Sequence, residues 1–148
     1  MPTEPNTFYL RVAFALTGCQ LVEEELKLYI TGAFELAKKC IGPRMPFKLS
    51  GADYEDASLE RLIDIFRKFS DNDELIKDLR KFKDERNYLG HKSIAHCLDP
   101  FEDLTELATT DALPRIEAIQ IEARRLRLAI HGEGNVNLVH LRFESFPD

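Results

Sequence analysis

Several features that mark secreted, membrane or zinc-binding proteins are missing from this chain of 148 residues. Its three cysteines, Cys19, Cys40 and Cys97, are odd in number and show no CxxC spacing, which argues against a disulfide framework or a thiolate zinc site. The N-terminal residues lack the basic start and apolar stretch of a signal peptide, and no run approaches the roughly 20 apolar residues of a membrane span. We therefore expect a cytoplasmic protein with free thiols, no metal or other cofactor, and no membrane contact.

Positive charge is also in short supply. The chain has 20 Lys and Arg residues against 26 Asp and Glu residues, a formal net charge of -6. Nucleic acid is not expected to bind across the whole surface, because most of that surface would repel phosphates. Residues 77–92 are the exception, with six basic residues against three acidic ones. This segment predicts a local phosphate contact, although charge alone is more commonly explained by ion pairs on a solvated helix face.

The hydrophobic residues, 44% of the chain, follow helical spacing and are enough for one domain spanning residues 1–148. A long first helix is predicted from Asn6, a good N-cap, to Ile41, where Gly42 and Pro43 stop it. A second apolar line on another face of this helix exceeds what a small bundle needs to bury. Homodimerisation would use that surplus, which consists of Phe14, Leu21, Leu28 and Leu36.

The rest of the chain predicts further helices. After an irregular connection over 42–57, a short second helix begins near Ser58, and a third begins at a capping box formed by Asp71 and Glu74. A fourth helical region starts near Glu102, restarts around Asp111 with Pro114 in its first turn, and ends at Gly132 and Gly134. The tail over 135–143 is expected to be extended, pairing with residues 45–49 or another subunit. The predicted fold is all-α, a four- to five-helix bundle with a long first helix and a short extended C-terminal tail.

The third helix carries the candidate chemistry, Arg86-Asn87-Tyr88-Leu89-Gly90-His91. Asn87 and His91 are four residues apart, so on a helix they share a face and the amide can orient the imidazole. Arg86 can bind a phosphate with charge-assisted, fork-like hydrogen bonds, and His91 can exchange a proton near neutral pH. Gly90 is expected to loosen the helix there and to admit a substrate.

These six residues resemble the signature of the HEPN superfamily, an Arg, usually a polar residue, then a His after four to six intervening positions. That family's fold, a bundle of four or five helices with a long first helix, matches the order of elements predicted above. The resemblance implies a metal-independent endoribonuclease of toxin-antitoxin, phage-defence or CRISPR-associated systems. It also implies a dimer in which Arg86, Asn87 and His91 of both subunits line one cleft.

The mechanism that the resemblance implies begins with the ribose 2′-hydroxyl attacking the adjacent phosphate. His91 assists that attack or protonates the leaving oxygen, Arg86 stabilises charge on phosphorus, and Asn87 holds the imidazole. The products are a 2′,3′-cyclic phosphate and a 5′-hydroxyl. Lys83, Lys92 and His96 are the candidate RNA-binding residues around the site. The same resemblance suggests an antitoxin or nucleotidyltransferase as a partner. In some members that partner modifies a Tyr two residues after the His, where this chain has Ser93, which argues against that type of control.

Structural explanations for the same residues stay open. Arg86 is also explained by a partly buried ion pair with Glu23, Glu24 or Glu25, and His91 by its position at the negative end of a helix dipole. A metal site at His91, His96 and Cys97 has poor helical spacing and no fourth ligand. The alternative function is therefore a non-catalytic HEPN-fold module that binds a nucleotide or a protein.

Overall fold

The computed structural model describes residues 5–91 and 106–138, and all regular secondary structure within these ranges is helical. Its α-helices are α1 (Pro5–Ile41), α2 (Leu59–Phe66), α3 (Asp73–His91) and α4 (Glu106–Asn137). Two short 3-10 helices, Gly42–Arg44 and Gly51–Tyr54, lie in the connection between α1 and α2. The expected all-α bundle is confirmed, and so is the long first helix, which has 37 residues.

The three long helices pack around one core, with α2 against α1 and α3. α1 and α4 run in the same direction, because Gly18 packs on Ala123 and Tyr29 bonds to Asn137 further along both helices. α3 runs the opposite way. The core is closed by one apolar stripe from each helix, and burying each large side chain contributes about 1.5–3 kcal/mol. Its fully buried members include Phe8, Leu26, Ile30, Leu62, Phe66, Leu79, Phe82, Ile116, Leu126 and Ile130.

Polar side chains cap the N-termini of both α2 and α3. The predicted start of α2 near Ser58 is confirmed, and the structure adds that Ser58 is its N-cap, its hydroxyl accepting the backbone N–H of Arg61 at 3.3 Å. The predicted capping box at Asp71 and Glu74 is wrong, because Asn72 is the N-cap of α3. The Asn72 amide oxygen accepts the N–H of Leu75 at 3.1 Å. Asp71 lies one residue too early in the chain to fill that position.

The prediction for α4 is wrong at two points, because the helix passes through every residue expected to interrupt it. Pro114 lies inside the helix rather than in its first turn, and the helix continues beyond Gly132 and Gly134 to Asn137. At Pro114 the ring is exposed, while Ala112 and Ile116 beside it are buried and hold the helix against the core. Packing thus overrides local propensity here.

Glu133 holds the last turns of α4 in place. Its carboxylate accepts hydrogen bonds from Asn72 at 2.7 Å, from Asn137 at 3.0 Å and from Ser70 at 3.3 Å. Asn137 also donates to the hydroxyl of Tyr29 at 3.2 Å. This network joins the end of α4 to α1 and to the α2–α3 turn, which explains why two glycines do not end the helix.

Only part of the predicted extended tail, residues 135–138, lies within the described ranges. Residues 135–137 are helical, and residues 45–49 form no strand, while residues 139–143 lie outside the described ranges. Among the helices that the structure describes, none combines the length and apolar character required to cross a membrane.

Candidate active site

The predicted site residues occupy the last two turns of α3. The helix is anchored by Leu79, Phe82 and Leu89, which are buried on its inner side. Acidic residues in its first turn and His91 in its last turn both match the helix dipole. The motif therefore lies on a well-supported element at one end of the bundle, beside the N-terminal halves of α1 and α4.

Asn87 and His91 both face solvent. On a regular helix, positions four apart differ by about 40° around the axis and about 6 Å along it. Because α3 is helical throughout this segment, the amide and the imidazole share one exposed side. The predicted pairing of these two side chains is thus geometrically possible, and a substrate could reach both.

Arg86 points elsewhere, towards α1. Its Nε lies 3.4 Å from Oε1 of Glu23, and the two side chains are 33% and 18% exposed. Positions five apart on a helix differ by about 140°, so Arg86 and His91 leave α3 on different sides. A partly buried ion pair with Glu23, Glu24 or Glu25 was the structural alternative for Arg86. The structure contains that ion pair, and the partner is Glu23.

Gly90 makes room for the Arg86 side chain. A Cβ atom at Gly90 would lie 3.0 Å from Nη1 of Arg86, closer than ordinary van der Waals contact. The guanidinium therefore extends towards the C-terminal end of α3, into the turn that holds His91. The loosening expected at Gly90 is not observed, since α3 stays helical through Gly90 to His91.

A contact between α3 and α4 braces the motif from the other side. Arg115 donates two hydrogen bonds to Glu85, at 2.8 and 2.9 Å, and its guanidinium carbon lies 3.5 Å from the centre of the Tyr88 ring. The hydrogen bonds to Glu85 raise the pKa of Arg115. The pairing of Arg115 with Glu85 was not predicted, because two residues separated by 30 positions leave no local spacing signal.

Cys19 lies near the Arg86–Glu23 pair but is not a nucleophile for this site. Burial raises the pKa of its thiol to about 12, and this outweighs the opposing effect of the Arg86 charge. The thiolate is the reactive form of cysteine. Cys19 therefore stays protonated at neutral pH and behaves as a core residue.

Two of the four basic side chains that precede the motif in this segment form ion pairs with α2. Arg80 lies 3.3 Å from Asp64 and Lys83 lies 3.7 Å from Glu60, both carboxylates belonging to α2. With Arg86, three basic side chains of α3 thus face acidic partners on neighbouring helices. The other two predicted RNA-binding residues, Lys92 and His96, lie outside the described ranges.

Comparisons with known proteins add no relative. No family model, curated protein or solved structure matches the chain. In the described part of the chain, no group of three or more His, Cys, Asp and Glu side chains is placed to hold a metal ion.

Proposed function

We propose that this chain is a HEPN-type, metal-independent endoribonuclease. The observation that supports this most is the exposure of Asn87 and His91 on one side of α3 at its end, with the Arg86 guanidinium extended into the same turn beside Gly90. This places an imidazole for proton transfer and a cation for phosphate at one end of the bundle. A toxin-antitoxin or phage-defence role, with an antitoxin or nucleotidyltransferase partner, is part of this proposal through the motif's resemblance.

In the proposed reaction, the ribose 2′-oxygen forms a bond to the neighbouring phosphorus, and the bond from phosphorus to the 5′-oxygen breaks. His91 removes the proton of the attacking hydroxyl or supplies one to the leaving oxygen. Arg86 stabilises the negative charge that builds on the phosphate oxygens, and Asn87 orients the imidazole. Lys83, one turn before the motif, would guide the RNA backbone together with Lys92 and His96.

The proposal includes a homodimer with a composite site. Within one subunit, Arg86 and His91 diverge around α3, so a second copy that brings its own motif would complete the site. Phe14, Leu21 and Leu28 supply an apolar surface for association. They are 47%, 41% and 67% exposed and seven residues apart on the outer side of α1, about 140–180° around the helix from Glu23, so the composite site itself needs a further contact at the end of α3.

A second function is favoured by one observation. Arg80, Lys83 and Arg86 are each paired with a carboxylate of another helix, which reduces the positive charge available to RNA. A non-catalytic module of the same fold, binding a nucleotide or a protein, would need no free Arg at this position.

Cleavage of RNA in EDTA by purified protein separates these functions when matched variants are compared. Arg86→Ala and His91→Ala should each lower the rate by roughly 100-fold or more. Arg80→Ala, which breaks a similar ion pair on the same helix, and His131→Ala, which removes an exposed His of α4, should leave it unchanged. No cleavage by the parent, or equal rates for all variants, would favour the binding module.

Expression in cells gives an independent readout. The parent should slow growth if it is an active nuclease, and His91→Ala should not. Equal growth of both strains at equal protein levels would count against the ribonuclease.

A further inference from the structure

The surroundings of Arg86 differ from those of the other paired cations of α3. Its partner Glu23 is only 18% exposed, whereas the Asp64 and Glu60 side chains that face Arg80 and Lys83 are 47% and 64% exposed. Arg86 also borders a helical glycine that leaves space for its terminal nitrogen. The guanidinium is thus held at one edge and given room at the other.

We infer that Glu23 and Gly90 are positioning residues that fix the Arg86 guanidinium for contact with a phosphate. This inference rests on the ribonuclease function proposed above and adds two residues to it. Glu23 belongs to α1, so the site depends on the packing of α1 against α3 as well as on the motif.

The geometry of the ion pair supports positioning. Glu23 approaches the Nε edge of the guanidinium at 3.4 Å, and Arg carries five N–H donors in a rigid planar fork. A contact at Nε therefore restricts the plane and direction of both terminal nitrogens. A long side chain that is held in this way loses less rotational freedom when it binds a phosphate.

The proposed role of Gly90 depends on its having no Cβ atom. A methyl group at this position would lie 3.0 Å from Nη1 of Arg86, so the guanidinium would have to shift by a few tenths of an ångström. The backbone would not be strained, because Ala is a better helix former than Gly by about 1 kcal/mol. Gly90→Ala should consequently lower catalysis without lowering stability.

The first test compares Glu23→Ala with Glu24→Ala in RNA cleavage. Glu24 is the adjacent residue of α1, is 63% exposed and pairs with Lys27 rather than with the motif. Glu23→Ala should lower kcat by about tenfold or more while KM changes little, because misplacing a catalytic cation weakens transition-state contacts. Glu24→Ala should match the parent. Glu23→Gln keeps an oxygen that can accept from Nε, so it should recover part of the lost kcat.

The second test compares Gly90→Ala with Gly132→Ala. It remains valid even if the Glu23→Ala variant fails to fold. A Cβ atom at Gly132, in α4, would have no heavy atom within 4 Å. Both variants should be at least as stable as the parent in urea, but only Gly90→Ala should lose kcat. Combining Glu23→Ala with Arg86→Ala should give the kcat of Arg86→Ala alone, since Glu23 acts through Arg86.

The outcomes distinguish this inference from the proposed function. A parent that cleaves no RNA overturns both. An active parent in which Glu23→Ala and Gly90→Ala behave like their controls overturns the positioning role and leaves the ribonuclease intact. A higher kcat for Glu23→Ala also overturns it, because the carboxylate would then withhold Arg86 from the substrate.

Discussion

Replacing Arg86 by Ala should destabilise the fold more than the same change at Arg80, although both residues belong to α3 and both form one ion pair. Loss of Arg86 leaves the carboxylate of Glu23, which is 18% exposed, without its cation. Loss of Arg80 leaves Asp64, which is 47% exposed and well hydrated. The degree of burial therefore predicts different costs for two substitutions of the same type.

The expected magnitudes follow from that difference in exposure. Hydrogen bonds to charged groups contribute about 1.5–3 kcal/mol when buried, and exposed pairs about 0–1 kcal/mol. The half-buried Arg86–Glu23 pair lies between these limits, so Arg86→Ala should lower the free energy of unfolding by about 1–2 kcal/mol. For a domain of this size that corresponds to a fall in Tm of about 3–6 °C. Arg80→Ala should cost about 0.5 kcal/mol.

Urea unfolding followed by circular dichroism at 222 nm measures both variants, and salt provides a second check. Added salt screens exposed charges far more than half-buried ones, so the Arg86 effect should persist at high salt while the Arg80 effect shrinks. Equal losses for the two variants, or an Arg86 effect that salt abolishes, would refute the reasoning from burial.

Three further predictions concern other parts of the molecule. Leu21→Asp should shift a dimer to monomer in sedimentation equilibrium without unfolding it, and an unchanged mass would exclude the outer side of α1 as the interface. Glu133→Gln should speed amide hydrogen exchange at the end of α4, because three donors lose their charged acceptor; unaltered exchange would show that packing alone holds this end. The raised Cys19 pKa makes the unfolded chain release its thiol proton at lower pH than the folded chain, so stability should fall as pH rises from 9 towards 12. Cys19→Ala should lessen that fall by at most about 1.4 kcal/mol per pH unit, and identical alkaline profiles would contradict a protonated buried thiol.

Local signals predicted the helices well where packing and propensity agree. The length of α1, its stop at Gly42 and the start of α2 near Ser58 were visible in the sequence, but Asn6, the predicted N-cap of α1, lies inside the helix, which already includes Pro5. The end of α4 was not, because the Glu133 network depends on residues about 60 positions earlier in the chain. Competition between two adjacent cap formers explains the error at α3, where Asn72 rather than Asp71 occupies the N-cap.

For the candidate site, the sequence predicted which residues face solvent together but not which contacts hold them. Helical spacing was sufficient to place Asn87 and His91 on one side of α3. It also indicated an acidic partner for Arg86 among three consecutive glutamates, yet the choice of Glu23 depends on how α1 is rotated against α3. The Arg115 contact with Tyr88 and the space beside Gly90 arise only from tertiary packing.

The most direct test of the proposed chemistry is the response of cleavage to loss of a single 2′-hydroxyl. Once a cleavage site has been mapped in EDTA, the same oligonucleotide is made with one 2′-deoxy nucleotide on the 5′ side of the scissile phosphate. The account predicts that the all-ribose strand yields a 2′,3′-cyclic phosphate and a 5′-hydroxyl, and that the modified strand stays intact at that position. An all-ribose strand left uncut, or equal cutting of both strands, would contradict it.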